Sequence, residues 1–167
     1  MTEAGPNSYL SNEVKRYDYD RWLTALFAPT AAREGIFTLL AFHAELARIR
    51  ETVSEAMLGD IRLQWWRDAL NKIAAGEAPP VHPVAEALAR LIPAHDLDVA
   101  DFHRIIDARS HDLDPLPFQS MAELLTYAEE TGGILNSLFL KISGIRTEKA
   151  VAAARQVGKA YALVGIL

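Results

Sequence analysis

Apolar residues recur along the chain at the spacing of an amphipathic helix, and no segment shows the strict alternation that is typical of a strand. Between residues 31 and 53 the apolar face comprises Ile36, Leu39, Leu40, His43, Leu46 and Ile49. Cap residues and helix-stopping glycines or prolines predict further helices over 21–28, 54–76, 84–92, 99–113, 121–144 and 148–167. Because no linker is long enough to divide these segments, the pattern predicts a single all-α domain.

The two ends of the chain differ from the middle. Residues 1–16 are polar and lack an apolar signal core, so we expect a flexible tail there, followed by a helical domain over 17–167. The final "YALVGIL" is the apolar part of a helix with no stop signal after it. Burying a Leu or Ile side chain is worth about 1.5–3 kcal/mol. We therefore expect a fold that is incomplete at its C-terminus, or a homo-oligomer formed through the 160–167 end; the alternative is a short chain whose last turn packs inward.

Composition narrows the protein class. The chain has 167 residues, of which 50% are hydrophobic and 23% charged, as in a globular protein. Its net charge of −5 argues against nucleic acid as a partner, which usually requires a basic face. The absence of cysteine excludes disulfides and thiolate metal sites. No apolar run reaches the length of a membrane span, so we expect a cytoplasmic protein that at most touches the inner membrane from one side.

Six segments carry motifs that occur in a fixed order: "PTAAREGIFTLLAF", "RLQWWRDAL", "HPVAEAL", "FHRIIDARSHDL", "LLTYAEETGGILNSLFLKISG" and "ARQVGKAYALVGIL". Together they resemble the squalene/phytoene synthase superfamily over about residues 17–167. The resemblance is closer to a divergent branch that includes the mitochondrial complex I assembly factor of this type, because "AFHAELARIRETV" is similar to that branch's "AFNxELAxVxxxV". It implies the N-terminal part of the isoprenoid (trans-prenyl) synthase helical fold.

The family's magnesium motif is altered in this chain. In the family, aspartates at i, i+1 and i+4 of a helix hold Mg²⁺ against a diphosphate; here these positions are Ala47, Arg48 and Glu51, so only Glu51 is still acidic. A charge pair 4 Å apart interacts by about 4 kcal/mol at an effective dielectric of 20, and a divalent ion doubles this, so Arg48 would repel the metal. The arginine before the motif falls at Ala44, and 17–20 ("YDYD") replaces a serine-rich motif. We expect no cofactor, and Mg²⁺ only if the chain is an active synthase.

The resemblance also implies a set of site residues. Tyr127 matches the family's catalytic tyrosine, although a helical tyrosine with a hydroxyl partner is also ordinary core packing. Gly132 and Gly133 match glycines of the family's "VAGxVG" motif, whereas Asn136 replaces the later one, a change that affects the width implied for the prenyl channel. The positions implied for a substrate or lipid pocket are Phe42, His43, Leu46, Tyr127, Gly132 and Leu135.

Other residues admit two interpretations each. His43 lies on an apolar face and is more typical of a core histidine than of a metal ligand. Asp107 and Asp112 form either a solvated acidic face or part of a metal site. One of Trp65 and Trp66 is expected in the core, and the other in a lipid pocket or a partner interface.

Two functions are compatible with these residues. The first is a catalytically degenerate family member that acts as a scaffold for an isoprenoid or other lipid, or for a protein partner; the resemblance implies subunits of respiratory complex I. The second is a head-to-head prenyltransferase that uses isoprenyl diphosphates with an altered metal site. The loss of the first metal cluster, while the hydrophobic motifs persist, favours the scaffold.

Overall fold

A computed structural model describes residues 6–166. Within them the chain forms helices joined by short turns and no strand. The helices are α1 (Pro6–Tyr17), α2 (Tyr19–Ala25), α3 (Thr30–Ala47), α4 (Ile49–Thr52), α5 (Ala56–Ala74), α6 (Pro83–Ala94), α7 (Val99–Arg109), α8 (Met121–Ala128), α9 (Ile134–Ile142) and α10 (Glu148–Ile166). A 3₁₀ turn (Ser110–Leu113) follows α7, and a π-helical turn (Glu129–Gly133) joins α8 to α9. None of the described helices has the length and hydropathy needed to cross a bilayer.

The N-terminal segment is a packed helix, so the expectation of a flexible tail is wrong for residues 6–16. In α1, Leu10 and Val14 are fully buried and the helix packs against α3. The indole nitrogen of Trp22 donates to Ser11 Oγ over 3.0 Å, which ties α1 to α2. Leu10 and Val14 are four positions apart and therefore lie on the same face of the helix. Burying this one apolar face is enough to hold a short helix against the domain, even when the rest of its sequence is polar. Residues 1–5 lie outside the described part of the chain.

Helix α3 is the centre of the fold. Every residue from Gly35 to His43 is buried, because α3 packs against α1, α2, α6, α7 and α9. Phe42 lies edge-on to Trp66 of α5, with ring centroids 5.2 Å apart, and 5.6 Å from the ring of Phe102 of α7. The helix predicted over 31–53 is interrupted at Arg48, which separates α3 from α4.

Helix α10 crosses the π-helical turn at close range. A Cβ on Gly158 would collide with the carbonyl oxygen of Gly132, and a Cβ on Gly132 would collide with that of Gly158. The ion pair between Arg155 and Glu129 flanks this crossing. Farther along α10, the ring of Tyr161 lies beside Arg21 of α2.

Candidate functional site

A cavity of about 240 Å³ lies among five α-helices and the π-helical turn, near the family's magnesium motif. Its lining includes Arg21 of α2, His43 of α3, Arg109 of α7, Tyr127 of α8 and Tyr161 of α10. Ala47, Thr131, Ala162, Gly165 and Ile166 complete the wall. The cavity therefore draws its polar side chains from segments that are far apart in the sequence.

His43 lies between two guanidinium groups. Its Nε2 is 3.0 Å from Arg109 Nη2, and its Nδ1 is 3.4 Å from Arg21 Nη1. Burial lowers the pKa of His43 well below its usual value, and the charges of Arg109 and Arg21 lower it further. The imidazole is therefore neutral at pH 7. Since arginine only donates hydrogen bonds and a neutral imidazole has one acceptor nitrogen, His43 can satisfy one of the two arginines. The shorter distance assigns that role to Nε2 and Arg109.

Tyr127 belongs to a network with Arg109 and Asp112. Arg109 Nη1 donates to the Tyr127 hydroxyl over 2.7 Å and to Asp112 Oδ2 over 2.9 Å. The Tyr127 hydroxyl in turn donates to Asp112 Oδ1 over 2.6 Å. Burial raises the pKa of Tyr127 strongly, and Asp112 adds to this rise against the opposing charge of Arg109. The phenol is therefore held in its protonated form, with its donor and one acceptor site engaged.

Arg21 is positioned by the start of α2. The Asp18 side chain caps this helix by accepting a hydrogen bond from the Arg21 backbone nitrogen over 3.3 Å. The same carboxylate lies 3.4 Å from Arg21 Nη1, and the guanidinium lies over the Tyr161 ring, 4.1 Å from its centroid. Burial lowers the pKa of Arg21, and the nearby charge of Arg109 acts in the same direction. The arginine is thus fixed between a helix cap and an aromatic face.

The residues at the first metal motif do not fit magnesium. Ala47 contributes only a methyl group to the cavity wall. The Arg48 guanidinium lies over the Tyr17 ring, 3.5 Å from its centroid, and Glu51 is exposed. Mg²⁺ requires carboxylate or phosphate oxygens, whereas the charged groups on this wall are guanidiniums. Residues 6–166 contain no cluster of three possible metal-ligating side chains.

The six residues suggested for a pocket divide into two groups. His43 and Tyr127 line the cavity. Phe42, Leu46 and Leu135 are almost completely inaccessible and belong to the packed interior, and Gly132 lies in the crossing with α10. The sequence interpretation missed the arginines of α2 and α7 and the tyrosine of α10. The nearest signal in the sequence for a buried arginine was Asp112, three positions after Arg109. An acidic and a basic residue at this spacing are, however, also typical of an exposed ion pair on a helix.

The other candidate residues are separated by the fold. Asp107 pairs with Arg67 over 2.8 Å, whereas Asp112 bonds to Arg109 and Tyr127, so the two carboxylates have different partners. Trp66 is buried in the core, as expected for one tryptophan of the pair. Trp65 is 37% exposed, and both tryptophans contribute to the wall of a separate pocket of about 300 Å³.

An apolar groove of about 460 Å³ lies next to the cationic cavity. Arg21 and Tyr161 border both spaces. The rest of the groove is mainly apolar and is lined by Thr24, Ala25, Phe27, Ala28, Ile36, Leu40, Asn136, Phe139 and Val157. The groove and the cavity therefore share one cationic side chain, that of Arg21.

Comparison with known proteins agrees with this architecture. A family model described as squalene/phytoene synthase matches residues 14–167. A Bos taurus protein named NADH dehydrogenase (ubiquinone) complex I, assembly factor 6 is 35% identical over 98% of this chain and 49% of its own length. A presqualene diphosphate synthase from Sinorhizobium fredii is 25% identical over 83% of this chain and 49% of its own length. The chain thus spans about half the length of these relatives.

The fold is also that of a solved enzyme structure. A crystal structure of a dehydrosqualene synthase with a ligand superposes with a TM-score of 0.81, at 17% identity, over 96% of this chain and 55% of that one. The predicted all-α class and the predicted N-terminal part of the isoprenoid synthase fold are therefore confirmed.

Proposed function

This chain belongs to the squalene/phytoene synthase family, and on that premise we propose that it is a catalytically degenerate member that acts as a scaffold in the assembly of respiratory complex I. The higher identity to a relative named as a complex I assembly factor, 35% against 25% for a presqualene diphosphate synthase, supports this role. Subunits of complex I are accordingly the protein partners that we propose.

The observation that carries the proposal is the chemistry of the cavity wall. Prenyl transfer leaves an ionised diphosphate, and Mg²⁺ held by carboxylates neutralises the charge that develops on it. At the first metal motif this chain places the methyl group of Ala47, while Arg48 is stacked on a tyrosine ring. The wall can attract an anion, but it offers no oxygen ligand for the metal at that motif.

We further propose that the scaffold holds a lipid, with its hydrocarbon part in the groove beside α2 and α9. The groove is mainly apolar and large enough for a chain of several carbons. Self-association through the 160–167 end stays a prediction: Tyr161, Val164 and Ile166 are exposed apolar residues of α10. Size-exclusion chromatography with light scattering tests it, and a clean monomer would count against it.

Affinity capture tests the assembly role. The tagged chain is expressed in its native cells at its normal level, and the bound proteins are identified by mass spectrometry. We expect subunits of complex I among them, and we expect cells that lack the gene to contain less assembled complex on native gels. Normal complex I in those cells, together with no subunit captured, would overturn the assembly role.

A pyrophosphate-release assay tests the loss of catalysis. The purified protein is incubated with Mg²⁺ and farnesyl or geranylgeranyl diphosphate, with an active presqualene diphosphate synthase as the positive control. We expect no release above that of buffer. Release that depends on both enzyme and magnesium would instead support a prenyltransferase with an altered metal site.

A further inference from the structure

The first half of α5 exposes a stripe of large apolar side chains. Met57, Leu58, Ile61 and Trp65 are all accessible, and their spacing of three and four residues places them on one face of the helix. The opposite face of α5, which packs against α7, is buried. Helix α5 is therefore apolar on two faces, and only one of them is used within residues 6–166. An exposed apolar patch of this kind marks a contact with another molecule.

Trp65 is suited to anchor such a contact, because its ring is held from behind. It lies edge-on to Trp66 with the ring centroids 4.9 Å apart, and its centroid is 5.4 Å from that of His82. The indole therefore keeps one orientation although the residue is partly exposed. A partner that covers a side chain held in this way loses little conformational entropy on binding. Tryptophan and arginine are also among the residue types that contribute most to binding at protein interfaces.

Two arginines without a carboxylate partner lie beside the stripe. Arg48 and Arg62 line the pocket of about 300 Å³, and Glu45 is the one carboxylate among its described lining residues. Neither arginine forms an ion pair within residues 6–166, whereas both arginines of the 240 Å³ cavity are paired with an aspartate. Arg62 donates to Thr52 Oγ1 over 2.6 Å, and Arg48 stacks on a tyrosine ring, so both are oriented but not neutralised. After the charge of Glu45 is subtracted, one positive charge remains at this wall for a carboxylate of a partner.

The charges on the two sides of the stripe select the kind of partner. Asp60 and Asp68 are exposed and, by their helical spacing, lie on the other side of the stripe from Arg62. An anionic bilayer would be repelled by these carboxylates, which favours a protein over a membrane. We propose that the α5 stripe binds an amphipathic helix of a protein partner, oriented so that acidic residues along one border of that helix face Arg48 and Arg62. The inference rests on the scaffold role proposed above.

Site-specific photo-cross-linking of the full chain in its native cells tests this surface. The photoreactive residue p-benzoylphenylalanine replaces Ile61, and the cross-linked peptides are identified by mass spectrometry. We expect an adduct with a protein segment that has apolar residues at helical spacing and acidic residues along one side. The same photoreactive residue in place of Met121 is the matched control, because Met121 is 67% exposed against 59% for Ile61 but lies at the start of α8. It should give no adduct with that segment.

Variants at Arg62 test the orientation of the partner. Arg62→Glu should reduce the adduct at position 61 by at least about tenfold, because it places like charges opposite each other. Arg62→Lys keeps the charge and should keep at least about half of the adduct, and Asp60→Asn should not reduce it. Both Arg62 and Asp60 are exposed, so we expect these variants to fold, and circular dichroism checks that they do.

Each other result has a defined meaning. No adduct, an adduct with lipid or with a second copy of this chain, a segment without acidic residues, or an adduct that persists in Arg62→Glu would overturn the inference. An acidic amphipathic helix from a protein outside complex I would support the surface and count against the assembly role. The two proposals therefore fail by different readouts.

Discussion

Replacing Gly158 with alanine tests whether the crossing of α10 and the π-helical turn is as tight as the structure indicates. The new Cβ would lie against the Gly132 carbonyl and 3.0 Å from the Asn136 Cβ. Two of its three nearest neighbours are backbone atoms, which cannot rotate aside as the end of a flexible side chain could. The helices must therefore separate, and contacts of α10 with α8, α9 and the π-helical turn are loosened together.

The expected loss can be worked out from two opposing terms. Overpacking a close-packed site costs about 1–3 kcal/mol, and a clash with backbone belongs at the upper end of this range. Alanine in place of glycine within a helix returns about 0.8–1 kcal/mol. Gly158→Ala should therefore lower the free energy of unfolding by about 2 kcal/mol, which for a domain of this size is roughly 4–8 °C in Tm.

Gly165→Ala provides the matched control, because Gly165 lies in the same helix and a Cβ there would meet no atom within 4 Å. This variant should be neutral or up to about 1 kcal/mol more stable, with the smaller gain expected for the last helical turn. Urea titration followed by circular dichroism measures both free energies. If Gly158→Ala were as stable as Gly165→Ala, the close crossing and the reasoning built on it would be refuted.

Three further predictions concern the interior. The free energy of unfolding should fall as the pH drops below about 6.5, because His43 takes up a proton there in the unfolded chain but not in the folded one, where its pKa is lowered. The variant His43→Asn should flatten this part of the pH profile. An unaltered profile would contradict a neutral, buried His43. Trp66→Ala should cost about 3–5 kcal/mol in urea titration, with Trp65→Ala costing less than half as much; equal losses would be inconsistent with their burial. Tyr127→Phe should cost about 1.5–3 kcal/mol by thermal unfolding, since its hydroxyl bonds two charged groups, and an unchanged Tm would argue against that network.

The helical class was predictable from the sequence because the signal is local and repeated. The segment from Ile36 to Leu46 carries apolar residues at helical spacing, and it became the most buried helix of the fold. Proline and glycine residues marked several breaks well, among them Gly76, which takes a positive φ after α5. Two features were missed because their sequence signals are weak: the fully buried apolar side chains among the described residues of α1 are Leu10 and Val14, and the π-helical turn has no distinctive residue pattern.

The candidate site could not be derived from the sequence in the same way. Arg109 meets His43 across 66 positions of the chain, and no local periodicity reports a contact of that separation. An arginine in a helix is ordinarily solvated, so neither Arg21 nor Arg109 stood out. The resemblance to the family did suggest His43 and Tyr127 as pocket residues, and both line the cavity. A family motif refers to positions that lie together in the folded protein, whereas periodicity reports only on neighbours along the chain. The resemblance could not indicate which side chains occupy the space of the altered metal motif.

The π-helical turn sets how α8 is rotated about its axis relative to α9, two helices that would otherwise form one continuous α-helix. An α-helix advances about 100° per residue, so one residue more or less in this turn would rotate α8 about its axis by that angle relative to α9. Tyr127, two residues before the turn, contacts Arg109, while Gly132 within the turn contacts Gly158. Removing a single residue from the turn would leave nearly all of the helical structure in place. The contact of Tyr127 with Arg109 and that of Gly132 with Gly158 could then no longer form together. The number of residues in the turn 129–133 is therefore constrained in addition to the glycine at position 132.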